Sequence, residues 1–142
     1  MRSLLLGGVC VLLGNSAVAQ TPAEVVAAFH RAVAGGDTVQ ALANLHPDVV
    51  IFESGGAEMS RNEFASRHLG ADMAFMAAVT REVTDSRTTM DVDVAVVMNR
   101  TRMSGTSGDG EVNMVVVETV VLRREGGEWK IVHIHWSSRR QR

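Results

Sequence analysis

Two histidines near the C-terminus, His133 and His135, have the side chains and the spacing most suited to chemistry. They lie two positions apart in a stretch rich in β-branched and aromatic residues, which predicts a strand with both imidazoles on one face, shared with Trp129 and Ile131. Apolar neighbours would keep the imidazoles neutral near pH 7, because burial disfavours the charged form. Neutral imidazoles can accept a proton or bind a metal; the alternative is two core histidines bonded to backbone groups or Ser hydroxyls.

Other acid–base side chains fall on predicted helices and strands. His68 lies four positions after Phe64, so the two residues share a helix face. Asp72, four positions further on, could orient the His68 imidazole or face solvent, and residues 71–78 are expected to continue that helix or form a second short one. Glu118 interrupts a Val-rich strand; a buried carboxylate there would need a partner, whereas a sheet edge or dimer interface would not require one.

Three helices are predicted from their start signals. Capping patterns occur at Thr21–Glu24, Asp37–Gln40 and Ser60–Glu63, and apolar residues follow at helical spacing. The second helix is expected to run until the proline at position 47 stops it. His30 and His46 have structural explanations, as a helix flank and as a helix end where a cation is favoured.

Most of the remaining chain has the composition of strands. The predicted strands cover residues 49–52, 79–89, 92–103, 112–124 and 129–137. A Gly-rich turn over Gly105–Gly110 and a hairpin turn at Gly126–Gly127 separate the last three. Helices first and an antiparallel meander afterwards make an α+β layout, and a curved sheet wrapped around helices encloses a concave space.

Length and composition exclude several classes of protein. The 142 residues suit one domain, and 14 Lys and Arg against 16 Asp and Glu give a net charge of −2. This charge gives no electrostatic basis for binding nucleic acid or an anionic membrane. The single cysteine, Cys10, lies in the first 19 residues, so no disulfide is expected in the remainder, and the sequence contains no Tyr.

The first 19 residues have the layout of a secretory signal peptide. Arg2 supplies a positive end, Leu4–Leu13 is an apolar run, and Ala17–Ala19 offers small residues for cleavage. The run is too short to span a bilayer as a helix; an uncleaved anchor or a buried helix is the alternative. We therefore expect a signal peptide over 1–19, one domain over 20–142, and a periplasmic or secreted protein.

The chain resembles the nuclear transport factor 2-like superfamily. The segment Glu118–Ser137 is similar to the terminal hairpin of its SnoaL-like branch, and to the association domain of calmodulin-dependent kinases, which ends with the same Trp, His-x-His and Ser pattern. Gly36–Asp37 and His46–Val50 match the usual signature of the second helix. The resemblance covers residues 22–138 and implies a cone-shaped α+β fold, with three N-terminal helices packed on a curved antiparallel sheet, and a homodimer.

The resemblance also implies where a pocket lies. In the kinase association domain an Arg at the place of Arg100 faces the pocket and can hold a carboxylate; here it would form a bidentate anion site or reach water. The loop after Glu53 borders the pocket mouth in relatives, so this carboxylate could act as a general base or remain solvated. The implied fold would let His68 join His133 and His135 as a third nitrogen ligand of an open metal site.

Three functions follow as hypotheses. The first is an exported protein that binds a small organic ligand through Arg100, His68, His133 and His135, without a cofactor. The second is a SnoaL-like isomerase, cyclase or dehydratase in which His133 or His135, helped by Glu53 or Asp72, moves a proton. The third is a metal-binding protein that uses the histidines. Absence of Tyr excludes the Tyr-dependent sites of ketosteroid isomerases and scytalone dehydratases.

Overall fold

The computed structural model describes residues 19–108 and 110–141. Nearly all of the predicted signal peptide, residues 1–18, lies outside the described residues. Within them the helices are α1 Pro22–Ala34, α2 Thr38–Ala43, α3 Arg61–Arg67 and α4 Leu69–Ala78. The strands are β1 Leu45–Glu53, β2 Gly56–Glu58, β3 Val79–Met90, β4 Val94–Ser107, β5 Gly110–Glu125 and β6 Glu128–Arg140.

The predicted capping residues begin the first three helices. At α1 the Thr21 hydroxyl accepts a hydrogen bond from the Glu24 backbone N–H (3.3 Å), and the Glu24 carboxylate accepts one from the Thr21 N–H (2.7 Å). At α3 the Ser60 hydroxyl accepts from the Glu63 N–H, but the Glu63 carboxylate accepts from the Met59 N–H. These bonds satisfy backbone donors that have no partner within a helix.

The third predicted helix is divided at His68. This residue ends α3, where its N–H donates to the Phe64 carbonyl, and also precedes α4, where its carbonyl accepts from Ala71 and Asp72. Its φ and ψ of −121° and −43° break the regular path of the helix. The His68 side chain stacks on Phe64 and faces the concave side of the sheet.

The six strands form one sheet in the order β2-β1-β6-β5-β4-β3. The predicted antiparallel meander of β3 to β6 is present, whereas β1 and β6 pair in parallel. The expectation that the second helix extends to position 47 is wrong. Leu45 already pairs with Ile131 in β1, and the Asn44 carbonyl accepts a hydrogen bond from the Ile131 N–H, so pairing with the sheet ends the helix early.

Apolar side chains from the helices and the concave face of the sheet form one core. Its largest fully buried members are Phe29, Phe64, Leu45, Ile51, Leu69, Leu122, Ile131 and Ile134. The expected cone of helices on a curved, mostly antiparallel sheet is thereby confirmed. Among the described residues, no helix has the length and apolar character needed to cross a membrane.

Gly105 of β4 makes a close backbone contact where α4 passes into β3. Its φ is +155°, and a Cβ there would lie 2.6 Å from the Ala78 carbonyl oxygen and 3.0 Å from the Val79 Cα. We expect Gly105→Ala to lower the free energy of unfolding by about 1–3 kcal/mol, because both the backbone conformation and the contact oppose a side chain. Urea unfolding measures this change.

Gly70→Ala is the matched control. Gly70 lies in α4 with no atom within 4 Å of an added Cβ, so alanine there should leave stability unchanged or raise it by up to about 1 kcal/mol. Equal stabilities of the two variants would contradict the proposed contact at Gly105.

A candidate acid–base cavity

A cavity of about 450 Å³ lies between the helices and the concave face of the sheet. Most of its wall is apolar, and the larger apolar side chains are Phe29, Phe75, Met76, Met103, Met114 and Val116. Two groups of interacting polar side chains lie along it, and in these groups Glu58 and Asn99 contact cavity-lining residues without lining the cavity themselves. The outer polar group is Glu53, Glu58, His68 and Asp72; the inner polar group is His30, Arg81, Asn99, Glu118 and Trp136.

Three carboxylates surround the His68 imidazole in the outer polar group. His68 Nδ1 lies 2.9 Å from Glu58 Oε1, while Nε2 lies 3.4 Å from Asp72 Oδ1 and 3.5 Å from Glu53 Oε2. The Phe64 ring stacks on the imidazole with centroids 6.2 Å apart. The two ring nitrogens therefore face different carboxylates, and the helix break at His68 together with the end of β1 sets this geometry.

Burial and mutual repulsion shift the acid–base properties of this group. Burial raises the pKa of Asp72 to about 6, against the opposing charge of His68, and Glu53 and Glu58 add to the rise. Burial also raises the pKa of Glu53. For His68, burial opposes the charged form, but the hydrogen bond with Glu58 and the nearby carboxylates outweigh it, so the pKa of the imidazole is raised. The cluster thus holds a proton readily near neutral pH.

The inner polar group is built around a buried carboxylate. Glu118 accepts hydrogen bonds from His30 Nε2 (2.9 and 3.1 Å), Arg81 NH2 (3.1 Å), Asn99 Nδ2 (2.7 Å) and Trp136 Nε1 (2.9 Å). Its side chain is 3% exposed. A carboxylate offers about four lone-pair sites, so the acceptor capacity of Glu118 is already used.

The environment of Glu118 keeps it ionised. Burial alone would raise its pKa, but the charge and hydrogen bond of His30, with the hydrogen bonds of Asn99 and Trp136, lower the pKa to about 2. Burial lowers the pKa of Arg81, and the charge of Glu118 opposes that change. The predicted need of Glu118 for a partner is met, and the carboxylate cannot serve as a base because its oxygens are occupied and its pKa is low.

His133 and His135 lie on the opposite face of the sheet from the cavity. Leu122 pairs with Ile131 and Val121 pairs with His133, so β6 has one extra residue at this point, a β-bulge. A one-residue shift exchanges the faces of all later side chains. Ile131 points inward as expected, but the two histidines then point outward, and the expectation that they share a face with Ile131 and line the cavity is wrong.

The two histidines have structural surroundings on the outer face. His133 Nδ1 lies 2.9 Å from the Val50 carbonyl oxygen, and His135 is exposed. The Phe52 ring meets both imidazoles edge-on, at centroid distances of 5.3 and 6.5 Å. They are therefore separated from His68, and a three-histidine metal site is not formed.

Arg100 is also outside the cavity wall. The neighbouring Thr101 lines the cavity, whereas the Arg100 side chain is half-exposed and its NH1 lies 3.5 Å from Asp85 Oδ2 on β3. The expectation that Arg100 faces the pocket is wrong, because alternation along β4 directs it to the other face.

Two predicted residues, Glu53 and Asp72, do meet His68 at the cavity. Within the described ranges this trio is the group of three or more donor side chains that could hold a metal ion, with ligand atoms within 4.8 Å of one another. A protonated His68 offers the same carboxylates a positive charge, so the arrangement does not require a metal. The roles assigned to these residues stay predictions.

Sequence reasoning missed His30 and Arg81 as cavity residues. His30 was explained as a helix flank, and Arg81 is one of several charged residues in a polar strand. The useful signal was Glu118, since an isolated acid in a Val-rich strand requires donors from other elements. The sequence did not show which elements supply them.

Comparisons with known proteins agree with this architecture. The model of the SnoaL-like domain family matches residues 23–140. A crystal structure from Shewanella frigidimarina, described as a candidate ketosteroid isomerase, is 32% identical, covers 80% of this chain and 92% of its own, and has a TM-score of 0.79. A comparison with curated protein sequences finds no match.

More distant structures share the fold. A candidate dehydratase of the nuclear transport factor 2-like family from Streptomyces avermitilis is 23% identical over 81% of this chain and 91% of its own, with a TM-score of 0.66. The CaMKII hub of S. rosetta is 22% identical over 86% of this chain and all of its own (100%), with a TM-score of 0.68. The fold and cavity define a nuclear transport factor 2-like protein. Within that class, the chain belongs to the SnoaL-like domain family.

The raised pKa of Asp72 has a measurable consequence for stability. The folded state favours the protonated carboxyl, so this group lowers the free energy of unfolding as pH rises from about 4 through about 6. Asp72→Asn removes that cost while keeping the side-chain shape. We expect the variant to be more stable than the wild type by about 1–2 kcal/mol at pH 8, and to lose this advantage at pH 4.

Urea unfolding at the two pH values measures the difference. Asp48→Asn, at an exposed position in β1, is the control for the loss of one carboxylate, and its effect at the two pH values is the baseline for Asp72→Asn. An equal effect of Asp72→Asn at both pH values would show that the carboxyl is not perturbed by its neighbours.

Proposed function

We propose that this protein is an acid–base enzyme of isomerase or dehydratase type, in which Asp72, paired with His68, moves a proton on a small and largely apolar carbonyl compound. The observation that carries the proposal is the carboxylate–imidazole pair, 3.4 Å apart, in the wall of a mainly apolar cavity of about 450 Å³. Mostly apolar clefts with a few converging polar groups are the usual form of small-molecule sites.

The chemistry follows from the charges of the outer polar group. A carboxylate with a pKa near 6 is a stronger base than an ordinary one and is still ionised at neutral pH. Asp72 would take a proton from the carbon next to a carbonyl, leaving an enolate. Returning the proton to another carbon completes an isomerisation, and delivering it to a departing hydroxyl completes a dehydration. His68 keeps Asp72 oriented and balances its charge. Glu53 Oε2 lies 3.5 Å from the same imidazole nitrogen, Nε2.

The relatives support this class of reaction. The protein from Shewanella frigidimarina is described as a candidate ketosteroid isomerase, and the one from Streptomyces avermitilis as a candidate dehydratase. This chain has no Tyr, so any oxyanion must be stabilised by other donors. The alternative of a non-enzymatic binding protein uses the same cavity but gives no role to the perturbed carboxylate.

Proton exchange in D₂O tests the proposal directly. Small unsaturated ketones and β-hydroxy ketones are incubated with the protein, and proton NMR follows exchange, double-bond migration and loss of water. We expect Asp72→Asn to lower the rate by about 100-fold or more, because the base is removed. We expect His68→Gln to lower it by about tenfold or more, because the base loses its orientation.

The matched control is His135→Gln, an exposed histidine on the outer face that should keep the wild-type rate. Equal rates for Asp72→Asn and wild type would end the proposal, as would ligand binding without exchange of any ketone in the panel. Activity that is lost on chelation and restored by zinc would instead favour a metal held by Glu53, His68 and Asp72.

We further propose export, as the sequence predicts, and dimerisation, as the family resemblance implies. Phe52, Val94 and Val117 lie on the outer face of the sheet, and each is more than 40% exposed, so this face offers apolar surface for a second copy. The hub structure among the fold relatives also supports the proposal of assembly. Native mass spectrometry of the protein purified from the cells that produce it tests both predictions. Each chain should begin at Gln20, and the intact protein should have twice the mass of one chain. A chain that retains residues 1–19 contradicts the first, and a monomer at micromolar concentration contradicts the second.

A further inference from the structure

We propose that Arg81 forms an oxyanion subsite at the inner end of the cavity, which binds the oxygen of a carbonyl substrate as that oxygen gains negative charge. The inference deepens the proposed function, on which its catalytic meaning rests. The binding of an oxyanion can be tested without any turnover.

Arg81 has hydrogen-bonding capacity that the protein does not use. Its guanidinium lines the cavity, and NH2 donates to Glu118 Oε1 at 3.1 Å. Its Nε is buried and has no hydrogen-bond partner among the described residues. A guanidinium carries five N–H donors in a planar fork, and an unsatisfied buried donor is unfavourable. Because Nε has almost no accessible surface, a ligand oxygen would bind the other N–H groups of the guanidinium, whose side chain is 17% exposed and lines the cavity.

The Glu118 carboxylate fixes the position of the Arg81 guanidinium. Glu118 is 3% exposed and is held by His30, Asn99 and Trp136 as well as by Arg81. The carboxylate therefore acts as a fixed anchor for one edge of the guanidinium. A donor that is already oriented stabilises developing charge without reorganisation, which is the basis of electrostatic catalysis.

Charge selects the orientation of a ligand in the cavity. The outer polar group contains three carboxylates around one imidazole, so it repels an anionic oxygen. Among the described residues, Arg81 is the only Arg or Lys whose side chain lines the cavity. A carbonyl oxygen is therefore directed to Arg81, and the neighbouring carbon and its hydrogens are left toward Asp72.

The expected substrates are small ketones or aldehydes with an apolar body and a hydrogen on the carbon next to the carbonyl. When the C–H bond breaks, its electron pair moves into the enolate, the proton goes to the Asp72 carboxylate, and the negative charge on oxygen is held by Arg81. Return of the proton closes the cycle, so no oxidant, reductant or other co-reactant is needed.

para-Nitrophenol is a suitable probe, because its phenolate absorbs visible light and its neutral form does not. Titrating the probe in the presence of the wild-type protein reports the ionisation of the bound molecule. We expect the bound probe to ionise at least about one pH unit below the free probe, which corresponds to a tenfold or greater preference for the phenolate. Arg81→Gln should abolish this shift, and Arg81→Lys should keep part of it, because a point charge remains without the fork.

Arg100→Gln is the matched control, since Arg100 is exposed on the other face of the sheet and should not affect the probe. Arg81→Gln leaves Glu118 with fewer donors and could lower stability, so the double variant Arg81→Gln/Glu118→Gln is measured as well. The double variant removes both charges and should abolish the shift as Arg81→Gln does. Each variant that circular dichroism shows to be folded can be titrated, and the presence or absence of the shift then decides the role of Arg81.

Three results would overturn the proposal: binding of the neutral phenol by the wild type, the same shift in Arg81→Gln as in Arg100→Gln, or no binding of the probe at millimolar concentration. The proposed function fails separately, when Asp72→Asn leaves proton exchange unchanged. A phenolate shift that depends on Arg81, together with absent exchange, would identify an anion-binding protein rather than an enzyme.

Discussion

The buried Glu118 carboxylate is the interaction on which the cavity depends. Its donors come from four separate elements: His30 from α1, Arg81 from β3, Asn99 from β4 and Trp136 from β6. A buried charge is tolerated only when it is paired and fully hydrogen-bonded, so the first helix and three strands must meet at one point. The requirement fixes how the helical layer sits on the sheet and holds the inner wall of the cavity in place.

The two polar groups divide the cavity into regions of opposite electrostatic character. At the inner end every acceptor of Glu118 is used, and its lowered pKa keeps this carboxylate ionised near neutral pH. At the outer end three carboxylates surround one imidazole, so the cluster holds a proton more readily than separate groups would, and the pKa of Asp72 is raised to about 6. Pairs of titratable groups whose environments push their pKa values apart are the usual basis for assigning acid–base roles.

The fold could be read from local patterns because each pattern has a local cause. Capping residues at Thr21, Asp37 and Ser60 begin helices, and Val-rich stretches bounded by glycines form the long strands of the meander. The parallel pairing of β1 with β6 could not be read in this way, because residues such as Val50 and His133 are far apart in the chain and nothing in either segment specifies its partner.

The sequence by itself predicted the α+β layout and the strands of the meander, and it offered Glu53, His68 and Asp72 as separate candidates without placing the three together. Tertiary structure alone decided which face each side chain occupies. One extra residue in β6 turned His133 and His135 away from the cavity, since a strand exchanges faces at every position and a bulge cannot be seen in a run of β-forming residues. Tertiary structure also decided that Arg81 lines the cavity. Its guanidinium is held by Glu118, and the two residues meet only through long-range packing, which no local pattern encodes.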